Sequence, residues 1–595
     1  YIPRELSGGT FFPPIKEEPY ILTMGSNGYY VFLLEPEKED LFLKPDKDIP
    51  ELTTGSSWRG FLSGKERKQL EDKIIPFYLK GCRWFGSRSR KIRRLLVDSF
   101  SRIKIGKTYI HLCLLKINYV QGSSEFYLLP MSFAQDEKER QLRSEYPEAV
   151  IADIELPEAG GVLFDSVYDP LFHNFIDSFL SRKRRLRGTG CEIYSYPCKN
   201  YRKISNARDQ VSRVLTGQHN DSAVILGNRL FLKIFRNVEE GINSESEICR
   251  YLTEKNFANS PVFGGTIDLV RPNGSSFTLV IAESFCEHEE DMWKYSLGSI
   301  EQYFDQMLSE GILPHELVKE PPNLFMGDVD IPGRLKNYIG DFYLEMVALL
   351  GARTAEMHSI LVSPEKTDPS FKVESFSKLY QRSIYQNSRG MLKKTFHILR
   401  EKKDLLPEVT QKIAAEVLEL EKYILERFRY ITTEKIASAR FRIHGNMHLG
   451  QVLFTGKDFI FIEFEDEPGK TMGERRLKRS PFMDVAGMVK SFHYAVQTVL
   501  SRKVSLRPES EEVLTPWSDI WYYAVSSVYI NSYLEKSRDM IYMPGDREKT
   551  KLLIEHFLIE KAVYDLGQEL ERDPVHASEA LKGLLGMLSK SSLKD

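Results

Sequence analysis

The chain has 595 residues, enough for three or four packed units, and its 28% charged and 42% apolar residues are ordinary for a globular protein. The 82 basic and 84 acidic residues leave a formal net charge of −2, so no overall charge favours nucleic acid or an anionic membrane. Because no run of about 18 apolar residues and no leader-like segment occurs, we expect neither a membrane span nor a secretion signal, and the six scattered cysteines indicate reduced thiols in the cytoplasm.

The first part of the sequence predicts mainly β-structure. Residues 1–37 contain short apolar runs between Gly and Pro turns, which is typical of the end of a β-sandwich. A charged stretch at residues 36–51 marks a boundary, and residues 38–150 combine a basic amphipathic segment with strands. Residues 151–290 continue the β-rich pattern. Their clearest hairpin is "SAVILGNRLFLKIF", in which Gly227 and Asn228 form the turn between two apolar runs.

Two basic runs in this part of the chain raise the question of an anionic partner. They are "GSRSRKIRR" at residues 86–94 and "SRKRRLRG" at residues 181–188. A nucleic-acid or phosphate contact is one interpretation. Neither run has stacking aromatic residues between its basic ones, which favours solvated helix faces and loop ends.

After about residue 291 the sequence predicts helices. Long segments such as "MVALLGARTAEMHSIL" have helical periodicity, and we assign residues 291–595 to one mainly helical domain. One hairpin is embedded in it at residues 452–464, where the apolar runs "VLF" and "FIFI" flank the turn "TGKD".

The candidate catalytic and metal-binding residues lie around this late hairpin. In "HGNMHLGQ", His444 and Asn446 occupy the H-x-D positions of a kinase catalytic loop, with Asn446 in place of the catalytic aspartate. Gln451 follows five residues later, where kinases have an asparagine that helps to hold magnesium. Glu463 follows the hairpin, at the position of the magnesium carboxylate. Since hard cations prefer oxygen ligands, Gln451 and Glu463 are the predicted metal ligands.

A kinase also needs a lysine that holds the nucleotide phosphates. Lys233, in the strand pattern "RLFLKIFR", is the candidate, although a lysine in a strand is often an edge residue whose amine reaches solvent. Glu247, in the helical pattern "SESEICRYL", is the predicted glutamate that orients it. The polar loop "TGQHNDS" before the hairpin places Gln218 and Asn220 over the phosphates, although it is not a G-x-G-x-x-G loop.

These signals, with the β-rich half first and the helical half second, predict an α+β fold. The predicted architecture is bilobal and protein-kinase-like, with a mainly helical C-terminal lobe. Residues 151–290 would form the nucleotide-binding N-terminal lobe, and residues 291–595 would carry the catalytic loop.

The same residues resemble a known family. "HGNMHLGQVLFTG", "FIEFEDEP" and "ERRLKRSPFMDVAGMVKSFHYA", together with "CRWFGSRSRKIR" and "FLIEKAVYDL", resemble bacterial maltokinases, which look like aminoglycoside phosphotransferases. The resemblance implies that ATP and Mg²⁺ are used to phosphorylate maltose at its anomeric hydroxyl, giving maltose 1-phosphate for glycogen-type α-glucan synthesis. The first residues resemble the C-terminal end of trehalose synthase, so we expect a chain cut from, or belonging to, a trehalose synthase–maltokinase fusion.

The resemblance also implies an N-terminal cap subdomain at residues 38–150 and a sugar site in residues 291–595, and it assigns roles to residues. The catalytic aspartate falls on Asn446, the magnesium ligands on Gln451 and Glu463, and the phosphate lysine on Lys233. The maltose-contacting pair falls on Lys561 and Tyr564, which share one helix face at i and i+3, although a solvated helix face with a core tyrosine is the alternative. Two further residues have less specific roles: His444 either contacts the sugar or is a structural hydrogen-bonding residue, and Asp484 is expected to cap a helix or to brace the loop.

Two positions depart from the family pattern. Glu463 replaces an aspartate and keeps the carboxylate, whereas Asn446 removes the general base, which typically contributes about 10²–10⁴-fold to the rate. Full activity would then need another base, such as Glu465 or Asp466. The main hypothesis is therefore a maltokinase with an impaired or substituted base. The alternatives are a catalytically silent module that binds maltose or nucleotide and scaffolds trehalose synthase, and a phosphotransferase for another sugar or an antibiotic.

Overall fold

The computed structural model describes most of the chain, in two compact units. The first comprises Tyr1–Ser246 and Val262–Phe285, and the second comprises Glu247–Pro261 and Cys286–Asp595. The described residues are 2–5, 32–35, 49–53, 62, 64, 66–88, 90–106, 108–155, 160–205, 211–215, 221–319, 323–325, 331–362, 369–465, 470–572 and 577–589.

The first unit consists mainly of strands, as the sequence predicts. Its strands are β1 (Ile2–Glu5), β2 (Phe32–Glu35), β3 (Glu51–Thr53), β4 (Ile92–Ile105), β5 (Thr108–Tyr119), β6 (Glu125–Ala134), β7 (Val150–Glu155), β8 (Gly160–Asp165), β9 (Arg185–Arg187), β10 (Glu192–Pro197), β11 (Ser212–Leu215), β12 (Ser222–Leu226), β13 (Leu230–Ile234), β14 (Asn237–Val238), β15 (Phe263–Val270) and β16 (Ser276–Ser284). Its helices are α1 (Glu66–Gln69), α2 (Ile75–Gly81), α3 (Asp136–Glu145), α4 (Pro170–Ser181), α5 (Tyr201–Ile204) and α6 (Ser244–Glu254), the last of which continues into the second unit.

Two sheets organise this unit. One is antiparallel with the strand order β11-β12-β13-β16-β15-β10-β9, and the other has the order β3-β7-β8-β6-β5-β4, with β14 also paired to β6. The hairpin predicted around Gly227 and Asn228 is confirmed: β12 and β13 pair, and both turn residues have positive φ angles of 54° and 52°. Lys233 lies in β13, so the antiparallel sheet positions the predicted phosphate lysine.

A buried ion pair joins the second sheet to the short segment between β13 and β14. Arg236 follows β13, and its side chain donates to Asp165 at 2.6 Å, with both side chains fully buried. Its guanidinium also lies 4.6 Å from the ring centroid of Trp84. Two residues further on, Val238 in β14 pairs with Phe126 in β6. Both sheets therefore belong to one packed body.

The second unit is mainly helical. Its helices are α7 (Met292–Glu310), α8 (Pro314–Leu317), α9 (Gly333–Ile339), α10 (Asp341–Leu361), α11 (Lys378–Lys402), α12 (Glu408–Glu419), α13 (Glu421–Tyr430), α14 (Met472–Arg475), α15 (Phe482–Leu506), α16 (Glu511–Ser537), α17 (Arg547–Arg572) and α18 (Ser578–Ser589). Its short strands are β17 (Glu290–Asp291), β18 (Glu374–Ser375), β19 (Ala439–Arg440), β20 (Val452–Phe454) and β21 (Phe459–Phe461). Among the described residues, no helix has an apolar stretch long enough to cross a bilayer.

Local sequence signals determine where helix α7, which follows strand β17, begins and ends. The Asp291 side chain accepts a hydrogen bond from the Lys294 amide at 2.8 Å, which caps the start of α7, and Gly311 ends the helix with a φ of 63°. The predicted late hairpin is confirmed as β20 and β21, and β17 pairs with β20 on its other side. Helix α7 packs against β17 and β20 of this small sheet, and α15 packs against α7, α16 and α17.

The observed architecture confirms the predicted α+β, bilobal kinase-like fold with a mainly helical C-terminal part. The last strand of the first unit, β16, ends at Ser284, and the first long helix of the second unit begins at Met292, close to the change of pattern in the sequence. The division into four domains at residues 37, 150 and 290 stays a prediction. Most of the β-sandwich remnant predicted at residues 1–37 lies outside the described residues, apart from the antiparallel pair β1 and β2.

Candidate active site

A buried carboxylate braces the loop at residues 444–451, which we call the HGN loop. Asp484, near the start of α15, accepts hydrogen bonds from the His444 amide at 2.8 Å and from the Gly445 amide at 2.9 Å. The same carboxylate lies 3.0 Å from Nε2 of His358. Gly445 has a φ of 84°, a conformation that glycine adopts without strain. The bracing role predicted for Asp484 is confirmed.

His444 is enclosed by the protein. Its side chain is 0% exposed, its Nε2 lies 3.1 Å from the Ile462 carbonyl oxygen, and its ring packs against Phe464. Burial lowers the pKa of His444, against the opposing effect of the Asp484 charge, so the ring stays neutral near pH 7. A fully enclosed ring offers no surface to a sugar. The geometry therefore favours the structural role over the sugar contact.

The two predicted metal ligands lie side by side. Gln451 ends the short 3₁₀ turn Leu449–Gln451, and Glu463 follows β21; the Gln451 amide nitrogen donates to Oε2 of Glu463 at 2.7 Å. Glu463 has a φ of 59°, an unusual conformation for a residue other than glycine and one that clusters at functional sites. Asn446 lies in the same loop and is half-buried.

The donor set suits magnesium bound together with a nucleotide. A half-turn of the Gln451 amide would present its oxygen beside the Glu463 carboxylate, giving two oxygen ligands from the protein. Mg²⁺ commonly takes only one or two protein ligands of this kind and completes its shell with phosphate oxygens and water. Among the described residues, no group of three His, Cys, Asp or Glu side chains is suited to hold a metal ion by itself. Gln451 and Glu463 therefore fit the predicted role.

Glu465 is held in place by an arginine. Nε and Nη2 of Arg442 donate to the two carboxylate oxygens of Glu465, each at 2.5 Å, and the side chains are almost fully buried. Burial raises the pKa of Glu465 to about 7, although the Arg442 charge opposes this. Because both oxygens face Arg442, Glu465 is poorly placed to replace the missing base. Asp466, the other candidate base, lies outside the described residues.

The partner of Lys233 differs from the prediction. Nζ of Lys233 donates to Oε2 of Glu245 at 2.9 Å, and both side chains are buried. Glu247 instead accepts from Arg442 at 3.0 Å and from Arg476 at 2.8 Å. Residues two apart on a helix point about 200° away from each other, so Glu245 and Glu247 cannot serve the same partner. The glutamate that forms an ion pair with Lys233 in this structure is therefore Glu245 and not the predicted Glu247, and a role of Glu247 in the nucleotide site stays a prediction.

The predicted phosphate-covering residues cannot be placed. Gln218 and Asn220 lie outside the described residues, because the structure describes the chain up to Leu215 in β11 and again from Asp221. Their contact with nucleotide stays a prediction.

The predicted sugar residues lie in a polar cluster on α17. Nζ of Lys561 is 5.2 Å from the ring centroid of Tyr564 and 3.7 Å from a carboxylate oxygen of Asp565. Lys490 of α15 forms an ion pair with the other oxygen of Asp565. We call Lys490, Lys561, Tyr564 and Asp565 the sugar cluster, since two of its members are the predicted maltose contacts.

His448 connects this cluster to the HGN loop. Burial, together with smaller effects of the neighbouring His444 and Lys561, lowers the pKa of His448 to about 4, whereas the Glu463 charge opposes this shift. The neutral ring accepts a hydrogen bond at Nδ1 from the Gly450 amide at 3.2 Å. Its proton is therefore on Nε2, where it can be donated to a ligand.

Several of these residues were not found from the sequence. His448 stands in the quoted octapeptide as a second histidine, and Glu245 in "SESE" as a second glutamate, so both had a local signal. No local sequence signal pointed to Arg442, Lys490 or Asp565, because the partners of these residues lie on elements distant in sequence.

Comparisons with known proteins agree with this fold. Residues 78–169 match the family model described as the maltokinase N-terminal cap domain. A structure of glucosamine kinase in complex with glucosamine, ADP and inorganic phosphate has a TM-score of 0.52 and 14% identity, covering 83% of this chain and 93% of that chain. A second glucosamine kinase structure, crystal form A, has a TM-score of 0.53 and 14% identity, covering 84% and 92%. Residues 78–169 are thus similar to a maltokinase N-terminal cap domain, and the chain shares the fold of solved glucosamine kinases, in agreement with the resemblance to maltokinases found in its sequence.

Proposed function

We propose that the chain is an ATP-dependent sugar kinase that phosphorylates maltose. The γ-phosphoryl group of ATP would pass to the anomeric hydroxyl of maltose, giving maltose 1-phosphate and ADP for α-glucan synthesis in the cytoplasm. The observation that carries the proposal is the Gln451–Glu463 pair beside the HGN loop, because it offers two oxygen ligands at the positions where kinases hold magnesium. The match of residues 78–169 to the maltokinase N-terminal cap domain supports the choice of substrate.

Each candidate residue has a proposed role in binding ATP, Mg²⁺ or the sugar. Lys233, oriented by Glu245, would hold the nucleotide phosphates, and Gln451 and Glu463 would hold Mg²⁺, which neutralises charge on the phosphates when bound. Lys561 and Tyr564 would bind the sugar, with His448 donating a hydrogen bond to it. Gln218 and Asn220 would cover the phosphates.

Asn446 would orient the acceptor hydroxyl without removing its proton. As the bond from oxygen to the γ-phosphorus forms and the bond from that phosphorus to the β–γ bridging oxygen breaks, the hydroxyl proton would pass to an oxygen of the transferred group. Phosphoryl transfer depends mainly on positioning and charge neutralisation, so turnover survives, but without a general base we expect it to be slower by about 10²–10⁴-fold.

The test compares two forms of the chain. The protein and its Asn446→Asp variant are incubated with ATP, Mg²⁺ and maltose, and maltose 1-phosphate is followed by phosphorus NMR. We expect slow product formation by the natural chain and a rate about 10²–10⁴-fold higher for the aspartate form. A Lys233→Met variant of the aspartate form controls for contaminating kinases. Product from neither form would contradict the proposal.

The substitution at Asn446 also favours a second candidate, a silent kinase-like module. In that case the chain would bind maltose or nucleotide and scaffold or regulate trehalose synthase, fused to it or associated with it. Calorimetric binding of maltose without product from the aspartate form, together with co-elution with trehalose synthase in gel filtration, would support this candidate. A panel of other sugars and aminoglycosides in the phosphorylation assay separates both candidates from a kinase of different specificity.

A further inference from the structure

Two aromatic rings stack on each other next to the HGN loop. Trp293 is the second residue of α7, and Tyr494 lies on α15; their ring centroids are 5.4 Å apart and their planes are inclined by 27°. Trp293 is half-buried, whereas Tyr494 is 49% exposed. Neither ring belongs to the apolar interior, so packing of the core does not account for the pair.

The position of each ring is fixed by the hairpin and the loop. Trp293 comes two residues after Asp291, and Asp291 pairs with Leu453 in β20. Strand β20 begins directly after Gln451, the last residue of the HGN loop. On α15, Ser491 accepts a hydrogen bond from the Leu449 amide of the HGN loop at 3.1 Å. Tyr494 lies three residues beyond Ser491, so it is on the same side of the helix, about 4.5 Å further along the axis.

The same helix face leads to the sugar cluster. Lys490 and Tyr494 are four residues apart on α15 and lie one above the other, with Cβ atoms roughly 5–6 Å apart. Lys490 binds Asp565, which lies beside Lys561. The aromatic pair is therefore one helical turn beyond the sugar cluster.

This arrangement matches the two kinds of surface on a pyranose ring. The hydroxyl groups at the edge of a sugar ring need charged and hydrogen-bonding partners, which the sugar cluster supplies. The C–H groups on its face are apolar and pack against aromatic rings, which carry a partial negative charge on their own faces. A single ring bound by the cluster would leave Trp293 and Tyr494 uncovered, whereas a second ring would lie on them.

The surroundings of Tyr494 can also bind hydroxyl groups. Burial and the charges of Glu579 and Glu569 raise the pKa of Tyr494, while Arg572 opposes them, so the phenol stays protonated and its ring carries no charge that would oppose stacking. These three charged side chains, on α17 and α18, give the aromatic pair a polar rim.

We propose that Trp293 and Tyr494 form a stacking subsite for the second, non-reducing glucosyl ring of the acceptor, so that the site selects an α-linked disaccharide over a single sugar. This inference rests on the proposed function, which places the anomeric hydroxyl of the first ring at the HGN loop. It adds the two residues that distinguish a disaccharide kinase from a kinase whose acceptor is a single ring.

The test measures sugar binding directly, so that it does not depend on catalytic turnover. The dissociation constants of maltose and glucose are measured by calorimetry for the natural chain and for Trp293→Ala, Tyr494→Ala and Tyr494→Phe. Saturation-transfer NMR on bound maltose shows which ring receives magnetisation from the protein. Tyr430→Ala, which removes a 48% exposed tyrosine on α13, is the matched control.

We expect each alanine variant to weaken maltose binding about five- to tenfold, the range for loss of one aromatic stacking contact, and to reduce transfer to the non-reducing ring. Glucose binding should change less than about twofold, and Tyr494→Phe and Tyr430→Ala should behave like the natural chain.

Equal losses for maltose and glucose, or no preference of the natural chain for maltose, would overturn the inference. Thermal melting of each variant excludes unfolding as the cause of a loss. These outcomes are independent of the proposed function, which fails only if neither the natural chain nor Asn446→Asp forms maltose 1-phosphate.

Discussion

Gln451 and Glu463 face each other at the two ends of the hairpin, with the amide nitrogen of one 2.7 Å from a carboxylate oxygen of the other. Strands β20 and β21 hold the two residues in register, because Val452 pairs with Phe461. The hairpin therefore acts as a rigid spacer that sets the distance between an amide and a carboxylate.

We predict that Glu463→Gln raises the Mg²⁺ concentration needed for half-maximal rate by at least about tenfold. The variant keeps the size of the side chain and removes the charge that attracts the ion, and a single charged ligand is worth on the order of 1.4 kcal/mol or more. The measurement is the initial rate against Mg²⁺ concentration in the Asn446→Asp background, where turnover is fast. Glu463→Asp, which keeps the charge, is the control. An unchanged Mg²⁺ requirement in Glu463→Gln would remove Glu463 from the metal site.

Asp484→Ala should loosen the HGN loop. It leaves the His444 and Gly445 amides and His358 without their acceptor, and each unpaired buried donor costs about 1–3 kcal/mol. We expect a lower melting temperature and faster hydrogen exchange at the two loop amides. Asp484→Asn, which keeps one oxygen, should lie between the natural chain and the alanine variant. Unaltered exchange at Gly445 would show that the carboxylate does not hold the loop.

The two glutamates of α6 give a matched pair for the nucleotide site. Glu245→Gln removes the charged partner of Lys233, so we expect the dissociation constant of ATP to rise about tenfold, equivalent to about 1.4 kcal/mol. Glu247→Gln should change it by less than about twofold and should instead lower stability, because Arg442 and Arg476 lose a shared partner. Titration with a fluorescent ATP analogue measures the first effect, and thermal melting measures the second. The reverse pattern would restore Glu247 as the orienting residue.

His556 should make the protein sensitive to acid. Burial lowers its pKa to about 3, and its ring lies against Phe428. Since the unfolded chain binds a proton at this residue below about pH 6.5 and the folded chain does not, stability is fully present above pH 6.5 and falls as the pH drops toward 3, by at most about 1.4 kcal/mol per pH unit. His556→Phe should flatten this fall, as measured by melting temperature between pH 7 and pH 4. His397→Phe, at an exposed position of α11, is the control; equal slopes in both variants would contradict the assignment.

The sequence predicts those features whose signal is local. The hairpin at Gly227 and Asn228, the hairpin after Gln451 and the change from strands to helices near residue 291 all depend on turn residues and periodicity within a short window. The order of these elements along the chain was enough to predict the fold class.

The remaining features depend on helix phase or on packing between distant segments. Glu245 and Glu247 are indistinguishable until the start of α6 fixes which side each faces, and the sequence analysis chose the wrong one as the partner of Lys233. Asp484 lies 40 residues after His444, and the contact between Lys490 and Asp565 joins two separate helices. Such pairs form only when the helices pack, so no local pattern identifies the partner.

The Arg236–Asp165 pair has a consequence for dividing or exchanging parts of this protein. Asp165 lies within the residues that match the cap family model, whereas Arg236 is three residues beyond Lys233. Removal of the cap would leave a fully buried guanidinium without its counter-charge, which typically costs about 3–5 kcal/mol, and would leave β14 without the strand it pairs with. A cap grafted from a relative would therefore have to bring its own partner for Arg236, and the cap could be transferred only together with the segment around Lys233 and Arg236.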